Sequence, residues 1–172
     1  FFKKVYLFKD IGSDNINLYY PLLAGFSDFV RAGEAPGWSF TQGMGQNIFP
    51  FSFSDPFTCI LYVIGSDNIP NGIVYVEMLK IICGGMVFCL YLKKMKLGGY
   101  SSFLGGLLFS FSGFMIVGGS WYVFSTQALY GALLLYSFEK LFQDNSWKFF
   151  PLIVALIASF QPFDLYLHGI FL

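Results

Sequence analysis

The chain has 172 residues, 56% hydrophobic and 22% aromatic but only 12% charged, with zero formal net charge and a mean hydropathy of +0.63. A soluble domain carries about 25% charged and about 45–50% apolar residues, so this chain lacks the polar groups to cover a water-facing surface and is placed in a lipid bilayer. The absence of a basic excess excludes nucleic acid as a partner, because phosphate neutralisation needs a cationic face.

Phe1-Phe2-Lys3-Lys4 at the start and Gly169-Ile170-Phe171-Leu172 at the end read as cuts through a longer membrane protein, with one span before and several after. No signal-peptide pattern precedes the first polar motif. That motif, Lys9-Asp10-Ile11-Gly12-Ser13-Asp14, sets two carboxylates four residues apart. Gly12 and Ser13 disfavour helix there, so both acids are expected on a turn or loop. Asn15 or Asn17 then caps a helix from Leu18 to Arg31. Its apolar stripe (Leu22, Leu23, Phe26, Phe29, Val30) is too short to span, and an interfacial position suits it. From Arg31 to Phe57 the composition shifts to Gly, Pro, Trp, Phe, Gln and Asn, and Glu34, Trp38, Gln42, Gly43, Gly45, Gln46 and Asn47 read as a loop of over twenty residues. Loops of this length are functional or disordered, and the aromatic content argues for function. Phe49, Phe51 and Phe53 alternate with Pro50, Ser52 and Ser54 as an extended row of rings at headgroup depth.

Asp55-Pro56 opens a short apolar helix over 57–64. Ile-Gly-Ser-Asp-Asn-Ile occurs at 11–16 and again at 64–69, each copy turning the chain and starting a helix. Spans are expected near 73–92, 98–118, 121–139 and 147–160, with a further segment beginning after 163. No charge occurs from Leu97 to Phe138, a run of two crossings that must reverse, with Gly118-Gly119-Ser120 as the turn. The domains are therefore an external part, 1–72, and a helical membrane part, 73–172. Lys93, Lys94, Lys96, Lys140 and Lys148 mark the cytoplasmic side, which leaves residues 10–70 outside, together with Asp164 and His168.

Asp10 and Asp14 are the candidate general bases or metal ligands, since two neighbouring acids raise each other's pKa toward neutrality. Their alternative role is to cap the following helix or pair with Lys9. Tyr19, Tyr20 and Trp38 could stack on a sugar or flank a lipid tail, or form an ordinary interfacial aromatic belt. Gly43-Met44-Gly45 could admit a phosphate to the backbone. Glu77 and Lys80, three apart, share one helical face and can pair, with snorkelling from the outer end sufficient to explain them. Cys59, Cys83 and Cys89 show no ligand spacing, so neither a disulfide frame nor a zinc site is expected. Gly84-Gly85, Gly105-Gly106 and Ala128-Gly131-Ala132 mark close helix–helix contacts.

Lys9 to Asp14, then Tyr19-Tyr20-Pro21, then Trp38-Ser39-Phe40 with Gly43-Met44-Gly45, and later Phe109 to Phe114 and Trp121-Tyr122, resemble the YfhO-like bacterial membrane proteins. That resemblance implies similarity to GT-C glycosyltransferases: an all-α polytopic transmembrane fold whose long external loop carries short interfacial helices. It further implies a hexosyl transfer in the plasma membrane from a polyprenyl-phosphate sugar donor to a cell-envelope glycan or teichoic-acid-like acceptor. Asp10 is then the catalytic base and Asp14 the second acid. Tyr19, Tyr20, Arg31, Trp38, Gly43 and Gly45 line the substrate site. A divalent metal, if one takes part, binds Asp10 and Asp14, and no other cofactor is implied. A flippase or transporter of a lipid-linked glycan, or a non-catalytic scaffold, are the competing functions.

Overall fold

In hydrocarbon every backbone N–H and C=O must be satisfied within the chain, which helices do locally. A computed structural model describes residues 14–34, 37–40, 44–47, 55–118, 123–145 and 147–160, and the described residues are mostly helical. Two compact units, residues 1–76 and 77–172, are distinguished.

In the first unit a π-helical turn, Asn15–Tyr19, runs directly into α1, Tyr20–Ala32. The expected start at Leu18 is thus too late, and Asp14 is itself helical instead of on a loop. Neither Asn15 nor Asn17 caps it. Asn15 is fully buried, and its carbonyl accepts the Tyr20 N–H in the wide i→i+5 turn. Pro21 is the second residue of α1 and, lacking an N–H, interrupts the helical hydrogen bonding where the wide turn ends. The helix stops at Gly33 (φ 72°), with Glu34 N–H bonding to the Phe29 carbonyl and Gly33 N–H to that of Val30. This is a Schellman ending, and its left-handed position favours glycine.

Residues expected to form one long loop contain a small antiparallel hairpin, β1 (Trp38–Ser39) paired with β2 (Gln46–Asn47), in register Trp38 to Asn47. Phe49, Phe51, Phe53 and Gln42 lie outside the described residues. Asp55 caps α2 (Pro56–Ile64), its Oδ1 accepting from Phe57 N–H at 2.7 Å and Thr58 N–H at 2.8 Å. Helix α1 packs on α2 through an edge-on contact of Phe26 with Tyr62 (5.5 Å between ring centroids) and a bond from Ser27 Oγ to the Tyr62 carbonyl at 2.9 Å. Fully burying a ring such as Phe26 is worth about 1.5–3 kcal/mol relative to water. Gly65 (φ 93°) and a single 3-10 turn, Ser66–Asn68, then start α3, Ile69–Lys94, as the second Gly-Ser-Asp-Asn copy predicts.

Helix α3 enters the second unit, which adds α4 (Gly99–Ser110), α5 (Gly113–Gly118), α6 (Val123–Asp144) and α7 (Phe149–Phe160). Among the described residues, two segments are long and apolar enough to cross a bilayer, Ser66–Lys94 and Gly99–Val117. The first extends the expected span of 73–92. The second carries an interruption at Phe111-Ser112, where the Ser112 hydroxyl accepts the Met115 N–H and starts α5. Helix α6 falls short in hydropathy because it carries Ser125, Thr126, Gln127, Glu139, Lys140 and Asp144. Helix α7 has 12 residues, about 18 Å at 1.5 Å per residue, less than a hydrocarbon core of about 30 Å. The expected turn at Gly119-Ser120 and the segment after 163 lie outside the described residues.

The glycine pairs do make the close contacts expected of them. A Cβ on Gly106 would lie 2.7 Å from the Gly85 carbonyl, and one on Gly85 would lie 1.9 Å from Ser110 Oγ. At this crossing Ser110 Oγ donates to the Ile81 carbonyl at 3.1 Å, and Phe88 stacks on Phe109 at 4.4 Å. Helix α3 ends like α1, with Leu97 N–H bonding to the Leu92 carbonyl, yet its left-handed residue is Lys96 (φ 63°). A side chain in that conformation costs about 1–2 kcal/mol relative to the right-handed one.

Candidate functional site

The acidic end of α1 is the site expected from the sequence. Asp14 is half-buried, has helical φ and ψ, and makes no side-chain cap. Its charge acts on Tyr19, the last residue of the π turn. Burial pushes the Tyr19 phenol above its ordinary pKa of 10.0, and the Asp14 carboxylate adds to the shift. Tyr20 follows, half-buried, at the first position of α1.

Other expected members are placed elsewhere. Arg31 is exposed at the far end of α1, and its guanidinium crosses Gly65, where a Cβ would lie 2.8 Å from its nitrogen. Asp14 and Arg31 are seventeen positions apart along the helical run, about 25 Å at 1.5 Å per residue. One phosphate cannot touch both side chains. Trp38 and Gly45 do belong together: Gly45 has φ 101°, and a Cβ there would sit 2.8 Å from the indole Nε1. The hairpin displays Trp38, 56% exposed, beside Phe40 at a centroid distance of 6.3 Å. Asp10 and Gly43 lie outside the described residues. Among the described residues no three His, Cys, Asp or Glu gather as a metal site.

A second polar centre sits inside the helical unit. Lys80 Nζ lies 2.8 Å from Glu77 Oε1, and Ser125 Oγ donates to Glu77 Oε2 at 2.6 Å. Lys80 is 0% and Glu77 3% exposed, with Ser125 and Thr126 fully buried beside them. Snorkelling does not explain this pair. The candidate span runs from Ser66 to Lys94, so Lys80 has fourteen residues on either side and stands at its middle. The sequence signal was present in Ser125-Thr126-Gln127, a polar triplet in a charge-free run. What it lacked was a way to know that α6 faces α3.

Residues 11–163 match the family model described as bacterial membrane protein YfhO. The chain belongs to the YfhO family. The match covers the acidic end of α1, the hairpin and the Glu77–Lys80–Ser125 centre alike, so both polar centres lie within the family's own span. Neither the curated proteins nor the solved structures include a match to this YfhO-family chain.

Proposed function

We propose that this YfhO-family chain forms part of a membrane glycosyltransferase that moves a sugar from a polyprenyl-phosphate carrier to a cell-envelope acceptor on the outer face of the bacterial plasma membrane. The observation that carries the proposal is the half-buried, helical Asp14, whose charge acts on the half-buried Tyr19. An acceptor hydroxyl attacks the anomeric carbon, the bond from that carbon to the carrier phosphate breaks, and polyprenyl phosphate departs. The hydroxyl proton passes to a carboxylate, Asp10 or Asp14. Tyr19 and Tyr20 flank the sugar or the first isoprene units, and the hairpin of Trp38 and Gly45 offers an aromatic edge to the glycan. Arg31, a helix length away from Asp14, serves a separate anionic contact.

Asp10→Asn and Asp14→Asn, each made in the full-length protein, test this reading. Loss of envelope glycosylation in either variant supports it, and normal glycosylation in both overturns it.

A second reading, movement of a lipid-linked glycan across the bilayer, is favoured by one observation. Glu77, Lys80 and Ser125 form a buried polar centre at the middle of a candidate span, and groups this costly in lipid commonly mark a substrate or ion pathway. Reconstituted protein separates the two. A translocase loses lipid-linked glycan flipping in Glu77→Gln, whereas a transferase acting at Asp14 keeps transfer to acceptor when donor is supplied on the outer face.

A further inference from the structure

One end of the helical unit carries cations that neither the proposed reaction nor its competitor uses. Lys94, on the last turn of α3, pairs with Asp144, the last residue of α6. That pair draws the α3–α4 turn and the α6–α7 turn to the same end of the unit. Both candidate spans meet at the first of these turns, so it must lie at a membrane–water boundary. Five lysines (93, 94, 96, 140, 148) and two carboxylates (Glu139, Asp144) occupy this end, a net charge of +3. Lys140 packs its ammonium 4.6 Å from the centre of the Phe149 ring, and Asp144 is taken up by Lys94. Lys93, Lys96 and Lys148 remain exposed, with no ion pair among the described residues.

Two further observations single out this surface. Lys96 occupies the left-handed position that ends α3, where glycine is the ordinary choice. A strained residue that persists points to a use for its side chain. Around the lysines stand Tyr100 (79% exposed) and Trp147 (71% exposed), the latter fixed by a bond from Nε1 to Asn145 Oδ1 at 2.8 Å. Amphipathic rings beside ammonium groups match the depth at which lipid phosphates lie.

We propose that Lys93, Lys96 and Lys148, framed by Tyr100 and Trp147, form a binding surface for the headgroups of anionic phospholipids. Each ammonium approaches a phosphodiester, while the rings lie among the glycerol ester groups. Lysines close to an anionic leaflet each contribute about fivefold to affinity, so three contribute on the order of a hundredfold. The attraction weakens as salt is added.

The test uses full-length protein in nanodiscs of phosphatidylcholine with and without phosphatidylglycerol, reading thermal stability and, after detergent extraction, co-purified phosphatidylglycerol. Wild type is expected to be stabilised by phosphatidylglycerol and to retain it, with retention falling as salt rises. The triple lysine-to-glutamine variant at 93, 96 and 148 loses most of that retention, and the triple arginine variant keeps it. Lys96→Gly separates strain from binding: it melts higher in detergent yet retains several-fold less phosphatidylglycerol. Equal behaviour of wild type in the two lipids overturns the proposal. So does a glutamine variant that keeps phosphatidylglycerol at the wild-type level.

Discussion

Ser125 on α6 donates its hydroxyl to Glu77 on α3 across 2.6 Å, while the other oxygen of that carboxylate lies 2.8 Å from Lys80 on the same helix. One side chain therefore joins two helices and neutralises a charge at the middle of a candidate span. Removing a single partner leaves the other charge buried and uncompensated, at a cost of about 3–5 kcal/mol. Lys80→Met and Glu77→Leu should each lower the melting temperature in detergent sharply, and the double variant should melt above either single one. Ser125→Ala removes a donor to a charged acceptor and should cost about 1.5–3 kcal/mol. Additive effects of the two charge substitutions would show that the pair is not the working unit.

The crossing of α3 and α4 makes a sharper packing prediction. At Gly106 a methyl meets backbone, the Gly85 carbonyl at 2.7 Å, which cannot move away without shifting a helix. At Gly85 the first obstacle is Ser110 Oγ at 1.9 Å, although the Gly106 carbonyl also stands at 3.1 Å. Gly106→Ala should thus be destabilising by about 1–3 kcal/mol, as overpacking usually is, and no neighbouring truncation should rescue it. Gly85→Ala should be partly rescued by Ser110→Ala. Gly98→Ala, with nothing within 4 Å, is the control.

Tyr19 ties the candidate site to pH. Its folded pKa lies above 10.0, chiefly through burial and secondarily through Asp14. A group whose pKa is raised on folding contributes stability that is present below its unfolded value and lost as pH climbs through the folded one. Alkaline stability should accordingly fall from about pH 10 upward, and less steeply in Tyr19→Phe. Difference titration of phenolate absorbance against Tyr19→Phe isolates this tyrosine. In Asp14→Asn its pKa should drop yet stay above the ordinary value, because burial persists. No change on removing Asp14 would break the link between the two side chains.

Local chemistry at two turns can be checked by substitution alone. Asp55→Ala deletes an acceptor serving two backbone N–H groups at the start of α2 and should cost about 0.5–2 kcal/mol. Gly45→Ala forces a methyl against the Trp38 indole at φ 101° and should alter Trp38 fluorescence while leaving overall helix content unchanged. A normal Trp38 signal in that variant would argue against the hairpin register.

What the sequence determined by itself is what short-range chemistry controls. Apolar run length announced helices in a membrane, Asp55-Pro56 announced the start of α2, and the second Gly-Ser-Asp-Asn announced the start of α3. The small-residue pairs at 84–85 and 105–106 announced a close crossing, because no larger residue fits where two helix backbones meet. Tertiary structure alone decided the rest. Glu77 and Lys80, near the outer end of a span expected over 73–92, read as a snorkelling pair until Ser125 proved to face Glu77 from α6. Asp14 and Arg31, expected in one site, stand seventeen positions apart along one helical run, a separation already implicit in a helix from Leu18 to Arg31. For Glu77 and Lys80 the missing quantity was which faces meet across the chain, and burial of a charge is a property of that meeting, not of the residue's own segment.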